Sequence, residues 1–147
     1  MITQGGTVRL QIHSNFEMVD FVQVVSDRVA QMAGMDEETV HWIGVAIRES
    51  VINAIKHGNR GEYGKLVTVE FTFTPPAKPE ELVVRVLDQG AGFDPEEVAD
   101  PLAPENMLKS SGRGIFFMRS FMDDVQLQRA PGGGMEVRMV KKLASSA

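Results

Sequence analysis

Three short stretches carry residue types whose spacing could do chemistry. In Glu49-Ser50-Val51-Ile52-Asn53-Ala54-Ile55-Lys56-His57-Gly58-Asn59, the residues Glu49, Asn53 and His57 recur every four positions. That spacing lays them along one helical face, turned away from the apolar stripe of Ile47 and Val51. A carboxylate one turn from an amide oxygen suits a proton acceptor beside a hard cation, and Mg²⁺ takes oxygen ligands that it shares with substrate phosphates. A solvated face of an amphipathic helix has the same spacing, which alone does not separate the two. The second stretch is Asp88-Gln89-Gly90-Ala91-Gly92-Phe93-Asp94, at the end of a strand pattern. Period two puts Asp88 on the face of Leu82, Val84 and Val86, which helices should cover. A carboxylate there needs a donor; the exocyclic amine of adenine is one, with Gly90 and Gly92 letting backbone approach a flat ligand. A glycine-rich turn with Asp88 as its local acceptor accounts for the same residues. The third is Ser110-Ser111-Gly112-Arg113-Gly114, where backbone N–H groups at a helix start would suit phosphate. It is neither a P-loop nor a full dinucleotide fingerprint, and an ordinary helix entry explains it as well.

These stretches need elements to position them. Residues 7–13 alternate Val8, Leu10 and Ile12 with Arg9 and Gln11, as a strand does. Ser14 and Glu17 have the spacing of a capping box, opening a helix with Met18, Val22, Val25, Val29 and Met32 on one face and Gly34 as its stop. A second helix starts at Asp36, with Glu37 and Glu38 suited to its dipole. It carries Val40, Ile43, Ile47, Val51 and Ala54 and ends around His57-Gly58-Asn59. Strand patterns follow at residues 67–73 and 82–86, joined by the proline-rich turn 75–79. Residues 89–113 read as loop, 115–122 as a short helix, and 125–128 and 135–140 as a closing hairpin around Pro131-Gly132-Gly133-Gly134. Strand, two helices, two strands, loop, helix, two strands favours an α+β two-layer sandwich: a mainly antiparallel mixed sheet with helices packed on one face. Residues 1–147 are read as one domain.

The bulk properties narrow the chemistry. There are no cysteines, which excludes disulfides, thiolate metal sites and cysteine nucleophiles. A net charge of −5 offers no footprint for direct nucleic-acid binding. No apolar stretch is long enough to span a membrane, and the N-terminus lacks a signal peptide's regions, so a cytoplasmic location is expected. His13, His41 and His57 are too scattered for a metal site. Met107, Met118, Met122, Met135 and Met139 read as adaptable core filler. Trp42 reads as a packed or half-buried aromatic on the second helix.

Taken together and in order, helical Glu49/Asn53, strand-end Asp88/Gly90/Gly92 and helix-start Gly112/Gly114 resemble the N-box and glycine motifs of the GHKL (Bergerat-fold) ATP-binding superfamily. The likeness covers nearly the whole chain. It sharpens at Ser111-Gly112-Arg113-Gly114-Ile115-Phe116-Phe117-Met118-Arg119-Ser120-Phe121-Met122-Asp123-Asp124-Val125 and at the Asn-Ala-x-x-His-Gly ending of the first stretch, which look like the stand-alone anti-sigma-factor serine kinases.

The resemblance implies a histidine-kinase-like ATPase fold binding ATP or ADP with Mg²⁺. In it Glu49 would be the general base, Asn53 the Mg²⁺ ligand, and Asp88 the acceptor of the adenine amine. Gly90 and Gly92 would border the base, Gly112 and Gly114 would line the phosphates, and residues 99–111 would form a lid. His57 is a further candidate nucleotide contact. Family members often carry an arginine just before the second glycine motif, where Ser110 and Ser111 stand here; Lys109 and Arg113 are the nearest cations. The implied activity is a protein serine kinase that sequesters a sigma factor and phosphorylates a STAS-domain anti-anti-sigma factor. A homodimer through the first strand and helix is also implied. The alternative is a nucleotide-dependent binding module without phosphoryl transfer. A histidine-kinase fragment is disfavoured, since no helical hairpin with a phosphoacceptor histidine precedes the first helix.

Overall fold

The computed structural model describes residues 3–91 and 118–143. Strand β1 (Gly6–His13) leads through a 3₁₀ turn (Phe16–Met18) into helix α1 (Val19–Met32). Helix α2 (Glu37–Asn53) continues into a wider π-helical turn, Ala54–Gly58. Then come β2 (Leu66–Thr74), β3 (Glu81–Leu87), β4 (Asp124–Arg129) and β5 (Met135–Lys142). The five strands form one sheet in the order β1-β2-β3-β5-β4, and every pairing among them is antiparallel. The architecture is α+β, with helices laid on one face of the sheet. No helix among the described residues is long and apolar enough to cross a membrane.

Register explains the core. Phe71 of β2 stands opposite Val8 and Val84, Val84 opposite Met139, and Met139 opposite Val125. The next inward row runs Leu10, Val69, Val86, Val137 and Leu127. Because alternate residues share a face, these rows make one apolar surface. Ile43, Ile47 and Val51 of α2 and Val22 and Val29 of α1 join the buried cluster that covers it. On the opposite face Glu70 accepts from Arg9 (2.8 Å) and Arg85 (3.1 Å). Arg85 also donates through Nε to Glu136 (2.8 Å), which raises the guanidinium's affinity for its proton.

The helix ends follow their caps, with one correction. Asp36 Oδ1 accepts from Thr39 N at 2.7 Å and starts α2 as expected. Gly34, at φ 78°, takes the left-handed conformation that stops α1. The expected capping box does not form: Asn15, not Ser14, accepts from Glu17 N (2.9 Å). Ser14 is buried and its hydroxyl donates to Lys65 O at 2.7 Å, so tertiary partners have taken the group a local cap would need. Of the expected helix at 115–122, residues 118–121 are described and helical.

Candidate functional site

A cavity of about 310 Å³ opens between the C-terminal part of α2 and the ends of β3, β4 and β5. Its helical wall is Ser50 and Asn53 of α2 with Ala54 and His57 of the π-helical turn, a row that sits between the helix's core stripe and its polar face. Its sheet wall is Val86, Leu127, Met135 and Val137, with Met118 closing one side. Asp88 supplies the acid, while Gly58, Arg60 and Ala91 complete the lining. Apolar walls with a few fixed polar groups are the usual make-up of a small-ligand pocket.

Asp88 is held at the point where β3 ends. Its backbone N–H donates to Met135 O (3.0 Å), extending the ladder with β5 by one residue. Its Oδ1 accepts from Gly90 N (2.9 Å) and Met135 N (3.1 Å). The side chain is buried, and Oδ2 has no donor among the described residues. Two backbone donors satisfy half of an ionised carboxylate, and the other oxygen stays ready for a ligand N–H.

Three glycines make this packing possible. A Cβ on Gly58 would overlap Asp88 Oδ2, one on Gly90 would overlap Gly58 O, and one on Gly134 would overlap Asp88 O. The π-turn delivers Gly58 to this contact, and such wide turns recur at functional sites. It closes through Asn59 N donating to Ala54 O at 2.8 Å, which turns Asn59 fully inward. Asn59 Nδ2 then donates to Ser14 Oγ (3.0 Å) and Leu66 O (3.1 Å), and its Oδ1 accepts from Gln89 N (2.7 Å). Gln89 Oε1 returns a bond by accepting from Leu66 N (2.7 Å). The loop after Asp88 is thereby tied to the helix end and to the start of β2.

Of the residues singled out from the sequence, Asn53, His57 and Asp88 meet at this cavity, and Gly90 packs behind Asp88. Glu49 is half-buried one turn before Asn53 and lies outside the cavity wall. Gly92, Lys109, Gly112, Arg113 and Gly114 lie outside the described residues. Sequence reasoning gave no site role to Gly58, quoted as a motif and helix end, or to Gly134, read as a hairpin turn, and passed over Ser50, Asn59 and Arg60. Gly58 and Asn59 stand inside the first motif stretch, so their position was visible; their contacts depend on strands far along the chain.

A slot with apolar walls and a half-satisfied carboxylate at one end suits a planar heteroaromatic ring bearing an N–H donor. The comparisons with known proteins agree. The profile of the histidine kinase-like ATPase domain matches residues 12–141. The serine-protein kinase RsbW of Listeria monocytogenes serovar 1/2a is 29% identical over 133 residues, 86% of this chain and 82% of that protein. The anti-sigma F factor of Clostridium acetobutylicum is 29% identical over 139 residues, covering 93% and 94%. Among solved structures, the RsbU and RsbW domains of a Mycobacterium tuberculosis protein superpose with a TM-score of 0.62 at 15% identity. That match covers 97% of this chain and 34% of the other, so this chain spans about a third of its length. The mycobacterial sensor histidine kinase MprB gives a TM-score of 0.55 at 17% identity, covering 92% and 98%. Order of motifs, fold and cavity converge on one assignment: the chain belongs to the histidine kinase-like ATPase domain family.

Proposed function

We propose that the chain binds ATP or ADP with Mg²⁺ and acts as a regulatory protein serine kinase. Its targets are a sigma factor, which it sequesters, and a STAS-domain anti-anti-sigma factor, which it phosphorylates. The observation that carries the nucleotide half is Asp88, a buried carboxylate with one oxygen bonded to backbone and the other left for the adenine amine. The cavity walls fit a purine: Val86, Met135 and Val137 supply apolar surface, and the Gly58/Gly90 contact keeps Asp88 at the slot's end. The kinase half draws support from the RsbW relatives and from the Glu49/Asn53 pair on α2.

In this reading Asp88 orients the base, and Asn53 offers its amide oxygen to Mg²⁺. The metal, when bound with nucleotide, offsets charge on the phosphates during transfer. Glu49, one helical turn before Asn53, accepts the proton of the attacking serine hydroxyl, because its carboxylate shares Asn53's face of α2. His57 borders the nucleotide from the exposed rim. Gly92 borders the base, and Gly112 and Gly114, with Lys109 and Arg113 as cations, receive the phosphates. The whole chain acts as one ATP-binding domain in the cytoplasm, and pairs with a second copy through β1 and α1.

The test is transfer of labelled phosphate from ATP to a cognate STAS-domain protein. Glu49→Ala should reduce transfer by at least a hundredfold, the scale of general-base catalysis, with ATP affinity kept. ATP binding without transfer to any partner would sink the kinase half and leave a nucleotide-dependent binding module.

A further inference from the structure

Two buried hydroxyls among the described residues have no hydrogen-bond partner, those of Ser26 and Ser50. Both side chains are 1% exposed, but only Ser50 lines the cavity. An orphaned buried hydroxyl is costly and calls for a reason. A helical serine can relieve it by bonding back to the carbonyl four residues earlier, and Ser50 does not. Its neighbours in the same four-residue row, Ala46 and Ala54, are buried and apolar. Alanine would therefore pack at position 50 as it does at either side. The hydroxyl adds nothing to the fold.

We propose that Ser50 is a base-reading residue: its hydroxyl donates to the ring nitrogen that neighbours the amine held by Asp88. The proposal rests on the nucleotide reading above and deepens it. The chemistry of the purine edge supplies the argument. A carboxylate only accepts, and adenine's amine and guanine's ring N–H both satisfy it. A carboxylate alone therefore discriminates poorly between the two bases. Adenine presents an acceptor nitrogen beside its amine, whereas guanine presents a donor at that ring position. Adenine's edge is satisfied in full only when a donor accompanies Asp88, and the unpartnered Ser50 hydroxyl in the same cavity is that donor. His57 and Arg60 are exposed at the rim, and Asn53 lies half-buried a turn further along α2.

Calorimetric titration of the full chain with two nucleotides tests this. One is ATP; the other is 1-deaza-ATP, in which the ring nitrogen is replaced by C–H. Ser50→Ala should weaken ATP by about three- to tenfold, the worth of one hydrogen bond, and leave 1-deaza-ATP unchanged. The ligand-free variant should melt at the same temperature as the parent or higher, because an unsatisfied hydroxyl has gone. Equal effects on the two nucleotides, no effect on ATP, or a lower melting temperature would each overturn the role of Ser50. If the parent chain binds no ATP, the nucleotide reading itself fails and takes this inference with it. ATP binding lost in Asp88→Asn but unmoved in Ser50→Ala leaves the nucleotide reading standing without it.

Discussion

An ionised carboxylate taken out of water needs donors, and Asp88 finds two in the N–H groups of Gly90 and Met135. Both bonds go to Oδ1, so the side chain is fixed by its own backbone surroundings, while Oδ2 packs against Gly58 with no donor among the described residues. Asparagine would keep the Oδ1 bonds and turn an N–H₂ toward a ligand amine. Donor would meet donor. On the nucleotide reading, Asp88→Asn should cost about ten- to a hundredfold in ATP affinity, the worth of a hydrogen bond to a charged group. Its thermal unfolding should change little. Calorimetry and a melting curve on the same preparation check both halves. Gly90→Ala separates packing from chemistry, because its Cβ would strike the Gly58 carbonyl and push the π-turn off Asp88. Overpacking of this kind costs about 1–3 kcal/mol, so here a fall in melting temperature should accompany the loss of ATP binding. A variant that binds ATP normally would show that the Gly58/Gly90 contact does not position Asp88. The placing of Asp88 on the covered face was legible, since period two along β3 dictates it. The contacts of the glycines that admit it were not, Gly90 included, because each meets a residue 30 or more positions away.

Helix α2 shows how far local rules reach. Its start, its apolar stripe and its polar row were all readable, because capping and a 3.6-residue period are properties of contiguous sequence. Asp36 illustrates the start: its bond from Thr39 holds the carboxyl below its ordinary value of 3.8. A lowered folded-state value means stabilisation that is present above the unfolded value and lost as pH falls through the folded one. Asp36→Ala should therefore lower the melting temperature at neutral pH, and the gap to the parent should narrow as pH falls below the ordinary carboxylate range. A gap unchanged at pH 2 would show that the charge plays no part in the cap. The end of the same helix was readable in place, around His57-Gly58-Asn59, but not in its wide π-helical form. The wide turn at Ala54–Gly58 is held by Asn59, whose partners Ser14, Leu66 and Gln89 come from three other segments. Asn59→Ala would remove three hydrogen bonds made by a fully buried side chain and leave the part-buried Leu66 carbonyl and Gln89 N–H without them. That should cost about 1–3 kcal/mol, and ATP affinity should fall as the Asp88 loop loosens. Chemical denaturation and nucleotide titration together measure it.

For the molecule as a whole, the two hairpins β2-β3 and β4-β5 could be foreseen because their turns are short and marked by proline and glycine. The insertion of β5 between β3 and β4, and the pairing of β1 with β2, depend on which apolar rows meet across the sheet. No window of sequence contains that information. The order leaves β1 at an edge, with Thr7, Val8 and Arg9 exposed. An exposed edge strand presents unpaired backbone groups to any neighbour. On α1, Phe21 and Val24 are 64% and 66% exposed, and their three-residue spacing puts them on one face of that helix. Apolar side chains so exposed favour a covering partner, and the proposed second copy supplies one. Phe21→Asp with Val24→Glu puts two like charges on that face while touching neither the cavity nor the buried core. Sedimentation equilibrium should then give about half the parent's mass at the same concentration, with ATP affinity unchanged. A parent chain that already sediments as a monomer would overturn the pairing through α1. A variant that stays dimeric would move the contact to another face, whereas loss of ATP binding along with the dimer would mean that the second copy helps to shape the site.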